Sequence, residues 1–111
     1  MTGVTFLFKE NRLCGFEVTG HSSENEDDLE GKTVCAAVSS AAYLTANTIG
    51  EIIGDKYDAK VRDGFMRIVV LNPSSETETV LKGFYLHITE LAKQYSRRIK
   101  IINGGVNDVK D

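Results

Sequence analysis

Val4, Phe6 and Phe8 alternate with Thr5, Leu7 and Lys9, the two-residue period of a strand. Glu10-Asn11-Arg12 has the character of a tight turn, and Leu13 to Thr19 alternates again. The two runs should pair as a hairpin, with Gly20 closing the second strand. Residues 21–31 are polar and aperiodic, which predicts a loop. From Thr33 to about Ile53 the spacing turns helical: Val34, Val38, Ala41, Thr45, Ile49 and Ile52 form one stripe at three- and four-residue steps. Thr33 can cap this helix through its hydroxyl, and Gly54 is a C-terminal stop. Tyr57 to Arg62 and Phe65 to Leu71 flank Asp63-Gly64, a two-residue hairpin signal. Pro73 ends the second of these strands. Ser75-x-x-Glu78 reads as a capping box opening a second helix, whose stripe is Leu81, Phe84, Ile88, Leu91 and Tyr95. Ile99, Ile101 and Ile102 make a short final strand.

The predicted order is ββαββαβ. Hairpins dominate it, so the expected class is α/β in the broad sense (α+β): a mostly antiparallel or mixed sheet packed by two helices. The 111 residues suit a single domain spanning residues 1–111. There is no internal linker or low-complexity segment. The only repeat is a loose ββα duplication whose halves share order but little sequence.

Composition narrows the function. Apolar content of 41% with 26% charged residues predicts a folded chain. A net charge of −3 argues against binding nucleic acid by phosphate neutralisation. Two cysteines, Cys14 and Cys35, and two histidines, His21 and His87, do not make a zinc-type cluster without unusual spacing. They do not make a disulfide framework either, so a reducing cytoplasm fits best. The start of the chain lacks the basic residues and apolar length of a signal peptide, and no run approaches the ~20 apolar residues of a membrane helix. No metal or cofactor is expected.

The chemistry-bearing residues gather around the first helix. With Thr33 as cap, Cys35 stands at the second helical position, where the dipole and unpaired N–H groups favour a thiolate. The other reading is that Cys35 is a small buried hydrophobe, as free cysteine usually is. His21 follows a strand-ending glycine, and the loop can bring Gly20-His21 and Cys35 together at its two ends. A cysteine nucleophile needs such a base within hydrogen-bond reach. Ser39 follows Cys35 by one helical turn and shares its face; it can support the thiolate or bond back to a helix carbonyl. Cys14 lies mid-strand with no base nearby and reads as structural. His87 reads as a solvated or packing residue. Glu24, Glu26, Asp27, Asp28 and Glu30 make the loop acidic, with no Lys or Arg between Arg12 and Lys32. That run is either a solvated connector or a lid that attracts a basic polypeptide. The alanines at 36, 37, 41, 42 and 46 either leave room for a substrate or permit tight packing on the sheet.

Gly20-His21, a polar loop, and Lys32-Thr33-Val34-Cys35-Ala36-Ala37-Val38-Ser39 together resemble the ribosomal-processing cysteine protease family, Prp. The likeness spans essentially the whole chain in length and element order. It implies a small α/β homodimer that removes a short N-terminal extension from the bacterial large-subunit ribosomal protein twenty-seven. Cleavage would follow an aromatic pair. It implies Cys35 as nucleophile, His21 as general base and then acid, and a loop that orders around the peptide. Some members carry an aspartate three residues before the cysteine, where this chain has Lys32. The group orienting His21 is therefore Asp27, Asp28, Glu30, a backbone group, or none, and Lys32 favours a thiolate from its place beside Cys35. An alanine-rich floor would receive the aromatic side chains, and first-turn N–H groups, that of Cys35 included, would stabilise the oxyanion. Two rival classes remain: a non-catalytic ribosome-assembly module holding a basic ribosomal protein, and a thiol redox sensor, which would need Cys14 close to Cys35.

Overall fold

The computed structural model describes residues 1–20 and 27–106. Its elements are β1 (Thr2–Lys9), β2 (Arg12–Thr19), α1 (Leu29–Asn47) running into a π-helical segment (Thr48–Ile53), β3 (Tyr57–Arg62), β4 (Phe65–Val70), α2 (Ser75–Gln94) and β5 (Ile99–Gly105). The sheet order is β3-β4-β2-β1-β5. Every neighbouring pair is antiparallel except β1 with β5, which run parallel, so the sheet is mixed.

The β1–β2 turn is tight because Glu10 and Asn11 both take positive φ, 54° and 65°, the twist that suits a two-residue hairpin. A bulge follows at once. Leu7 faces Gly15 and Phe8 faces Leu13, which leaves Cys14 as the extra residue. The inserted residue resets the alternation of β2. Leu13 and Phe16 both join the main core, while Cys14 points to the other face beside Leu7 and Val69.

Both helices cover one face of the sheet. Val34, Val38, Ala42, Ala46 and Ile49 from the first helical unit meet Leu81, Phe84 and Ile88 from α2 over Val4, Phe6, Phe16, Ile68 and Val70. The Phe6 ring centroid lies 5.6 Å from Phe84 and 4.5 Å from Tyr85, and Phe16 lies 4.6 Å from Phe84. Among the described residues no helix is long and apolar enough to cross a membrane.

Three local expectations are corrected. Helix α1 starts at Leu29, not Thr33, because Asp28 caps it by accepting the Gly31 N–H at 3.0 Å. The last part of the predicted loop is thus helical. Ile52 leaves the apolar stripe and is 79% exposed, because the wider π-helical turn carries the buried line from Ile49 past it. The capping box at Ser75 and Glu78 does not form. Ser74 is the cap of α2, accepting from the Thr77 N–H at 3.2 Å, and Glu78 pairs with Arg12 instead. Asp55, just past the Gly54 stop, accepts from the Ser74 N–H, the Ser74 hydroxyl and the Thr77 hydroxyl at 2.9, 2.8 and 2.6 Å. These three bonds hold its carboxyl below the usual carboxylate range, the Thr77 hydroxyl contributing most.

Candidate active site

Half-buried Cys35 opens onto a cavity of about 450 Å³ between α1 and the β3–β4 hairpin. One flank is helix: Cys35, Ser39, Ala42 and Tyr43. The opposite wall is sheet and hairpin: Val18, Val61, Phe65 and Met66, with Arg62, Asp63 and Gly64 at the tip. Gly20 and Thr2 close one end. The expected sharing of one face by Cys35 and Ser39 is seen. The expected alanine floor is not: Ala42 alone of the alanines lines the cavity, and the bulkier apolar side chains Val18, Val61, Phe65 and Met66 come from the sheet. Arg62 lies over the Phe65 ring at 3.9 Å, a cation–π contact that fixes the hairpin wall.

Gly20 has a built position. Its φ is +85°, its N–H donates to the Gly64 carbonyl at 3.0 Å, and an added Cβ would sit 2.7 Å from the Met1 carbonyl oxygen. The glycine thereby ties the end of β2 to the hairpin tip and to the start of β1, at the mouth of the cavity. His21, the next residue, lies outside the described residues, as do Glu24 and Glu26 of the acidic run. Lys32 is exposed on α1, one turn ahead of Cys35.

The start of α1 changes the electrostatics expected for Cys35. Counting from the Asp28 cap, Cys35 is the seventh helical residue rather than the second. Its backbone N–H is spent in the helix ladder, so it is not one of the free donors that a helix N-terminus offers. Arg98, in the turn between α2 and β5, grips that N-terminus. Both of its Nη atoms reach the Asp28 carboxylate, and its Nε donates to Glu30 at 3.2 Å. The guanidinium is held protonated more firmly than usual, the Asp28 hydrogen bonds being the main cause. Two of the five acids expected to attract a basic substrate, Asp28 and Glu30, are therefore engaged by Arg98, and so are two of the candidates for orienting His21.

Cys14 is buried on the far side of the sheet. Its thiol donates to the Leu7 carbonyl at 3.4 Å, and burial pushes it above the ordinary thiol range. The sheet stands between it and Cys35, which removes the geometry that redox pairing needs. His87 is exposed on α2. The cavity wall residues Tyr43, Val61, Phe65 and Met66 and the clamp residue Arg98 were not singled out by spacing. The strongest available signal for Arg98 was an arginine pair, Arg97-Arg98, in a chain with an acidic run near its reactive cysteine.

A family model described as cysteine protease Prp matches residues 1–100. Solved structures with the same fold include SMU.848 from Streptococcus mutans, at 22% identity and TM-score 0.78, covering 95% of each chain. They also include the essential ribosomal processing protease Prp from S. aureus, in two complexes. With a covalently linked product peptide it matches at 19% identity and TM-score 0.81, and with a substrate peptide at 18% and 0.82. Each S. aureus match covers 93% of this chain and 99% of the other. No curated protein matches the sequence.

Proposed function

Because the chain belongs to the cysteine protease Prp family, we propose that it is the endopeptidase that trims the N-terminal extension of the bacterial large-subunit ribosomal protein twenty-seven, with Cys35 as nucleophile and His21 as base. The observation that carries this reading is the cavity: Cys35 opens into it, and Gly20, bonded to its neighbour His21, forms one end of it.

The reaction is acyl transfer. His21 takes the thiol proton, and Cys35 Sγ attacks the carbonyl carbon of the residue before the scissile bond. The tetrahedral oxyanion collapses, the C–N bond breaks, and His21 gives its proton to the departing amine. Water, deprotonated by His21, then splits the thioester, releasing the carboxylate and restoring the thiol. Val18, Val61, Phe65 and Met66 give the cavity the apolar walls that an aromatic side chain needs. Gly20 fixes where the segment carrying His21 leaves the sheet. Ser39 supports the nucleophile from one turn along α1, and Lys32 adds positive charge beside it. The S. aureus enzyme, as a ribosomal processing protease seen with peptide, supports a peptide substrate here. The enzyme works in the cytoplasm as a homodimer, without metal or cofactor, membrane or nucleic acid.

The test is cleavage of a peptide spanning the extension junction. Cys35→Ala should abolish it, and His21→Ala should lower it by about two to four orders of magnitude. Full activity in Cys35→Ala would overturn the assignment.

A further inference from the structure

A polypeptide that brings a carbonyl to Cys35 lies against the hairpin wall opposite it. Of the described residues lining the cavity, Arg62 and Asp63 are the charged ones. The Arg62 cation is placed against the Phe65 ring at 3.9 Å, facing the π-system of its own wall. Asp63 is differently situated: among the described residues its carboxylate has no hydrogen bond or ion pair.

That carboxylate is mounted on a fixed turn. Arg62 pairs with Phe65 across β3 and β4, which leaves Asp63 and Gly64 as the two turn residues. Gly64 takes a positive φ of 73°, which a glycine adopts without strain. Its carbonyl accepts the Gly20 N–H at 3.0 Å, and the Arg62–Phe65 contact braces the same tip. Asp63 thus keeps its place at the rim relative to β2, with Cys35 on the helical flank across the cavity. The acids nearer to Cys35 in sequence stand elsewhere. Asp28 and Glu30 are held by Arg98, and neither lines the cavity.

We propose that Asp63 is a specificity residue: its carboxylate receives the side chain of a lysine or arginine close to the scissile bond of the peptide. The cavity, about 450 Å³, has the size of a small-molecule pocket, so the residues flanking the cleaved bond are the ones that meet its rim. The inference rests on the peptidase reading for its substrate. It moves the selection of positive charge from the acidic run before α1 to the β3–β4 turn. Asp63 is exposed, so the ion pair forms in partly hydrated surroundings and is screened by salt.

The test compares the full chain with Asp63→Asn and with Asp58→Asn, a control that makes the same change of charge on β3 outside the cavity. Asn-Gly suits a hairpin turn as Asp-Gly does, so Asp63→Asn removes the charge and keeps the hairpin. The substrates are junction peptides with one lysine at successive positions on either side of the cleaved bond, and a parent with glutamine at all of them. At the lysine position that meets Asp63, Asp63→Asn should raise KM about two- to fivefold with kcat unchanged, and high salt should remove the difference. The neutral parent should be cut equally by all three proteins, and Asp58→Asn should match wild type on every peptide. Binding of the same peptides to Cys35→Ala, with and without Asp63→Asn, should show the same loss by fluorescence anisotropy with no cleavage involved. If no lysine position responds in either assay, or if Asp58→Asn responds equally, the role of Asp63 is overturned, and cutting of the neutral parent in that case upholds the peptidase reading. A charge response in binding with no peptide cut by wild type upholds Asp63 and removes the peptidase reading.

Discussion

Gly20 and Gly54 form a matched pair that separates backbone strain from collision. Their φ values are +85° and +87°, so alanine at either site meets the same left-handed penalty, about 1–2 kcal/mol. Their surroundings differ. A Cβ on Gly54 meets nothing within 4 Å, whereas one on Gly20 would lie 2.7 Å from the Met1 carbonyl oxygen, inside any real contact distance. Gly54→Ala should therefore lose only the strain. Gly20→Ala should lose the strain plus a displacement of the β1 start, roughly 2–4 kcal/mol together. In a domain near this size each kcal/mol lowers Tm by about 4 °C, so the two variants should melt several degrees apart. Urea titration at constant m-value checks that the change is in stability. Activity should diverge further. Moving the end of β2 shifts the residue that follows it, and a misplacement near 1 Å costs about a hundredfold in rate. Gly54→Ala should cut the junction peptide at the wild-type rate. Equal melting points for the two variants would refute the collision, and an active Gly20→Ala enzyme would refute the link between Gly20 and the catalytic centre.

Three further outcomes are expected. The Asp55 carboxyl titrates below its unfolded value because it accepts from Thr77 and Ser74, so its contribution is present above about pH 4 and is lost as pH falls through the folded value. Asp55→Asn should therefore flatten the acid limb of a stability–pH curve, and an unchanged limb would show that the network is inert. Cys14 is buried with a raised thiol pKa, so mass mapping after brief iodoacetamide treatment of the native protein should find Cys35 modified and Cys14 intact; comparable labelling of both would contradict the burial. Leu81 is fully buried between α2 and the sheet, so Leu81→Ala should cost about 2–5 kcal/mol by urea denaturation; a loss under 1 kcal/mol would mean that the core closes over the gap.

The elements were legible because their patterns are local and strong. The alternation of Val4, Phe6 and Phe8, the Asp63-Gly64 turn and the α2 stripe all appear where the spacing puts them. Cap positions were less legible, for a physical reason. Thr33 and Ser75 are good caps in isolation, but Asp28 and Ser74 win because partners distant in sequence, Arg98 and Asp55, reinforce them. The bulge at Cys14 and the π-helical turn after Asn47 each insert a fraction of a period, which no fixed spacing anticipates. At the site, Cys35, Ser39 and Gly20 were marked by their residue types and do line one cavity. Its opposite wall comes from β3 and β4, and only the sheet order β3-β4-β2 reveals that this hairpin stands across from α1.

The parallel pairing of β1 with β5 has a consequence for the timing of synthesis. Thr2 lies opposite Ile99, and the Thr2 N–H is bonded to the Arg98 carbonyl. Thr2 in turn lines the cavity together with Gly20, against which the Met1 carbonyl is set. While the chain emerges from the ribosome, the cysteine, the hairpin wall and both helices are made before the strand that pairs with the second edge of β1 exists. The end of the cavity at Thr2 therefore gains its last backbone bond, to Arg98, only when the C-terminal part of the chain has been made.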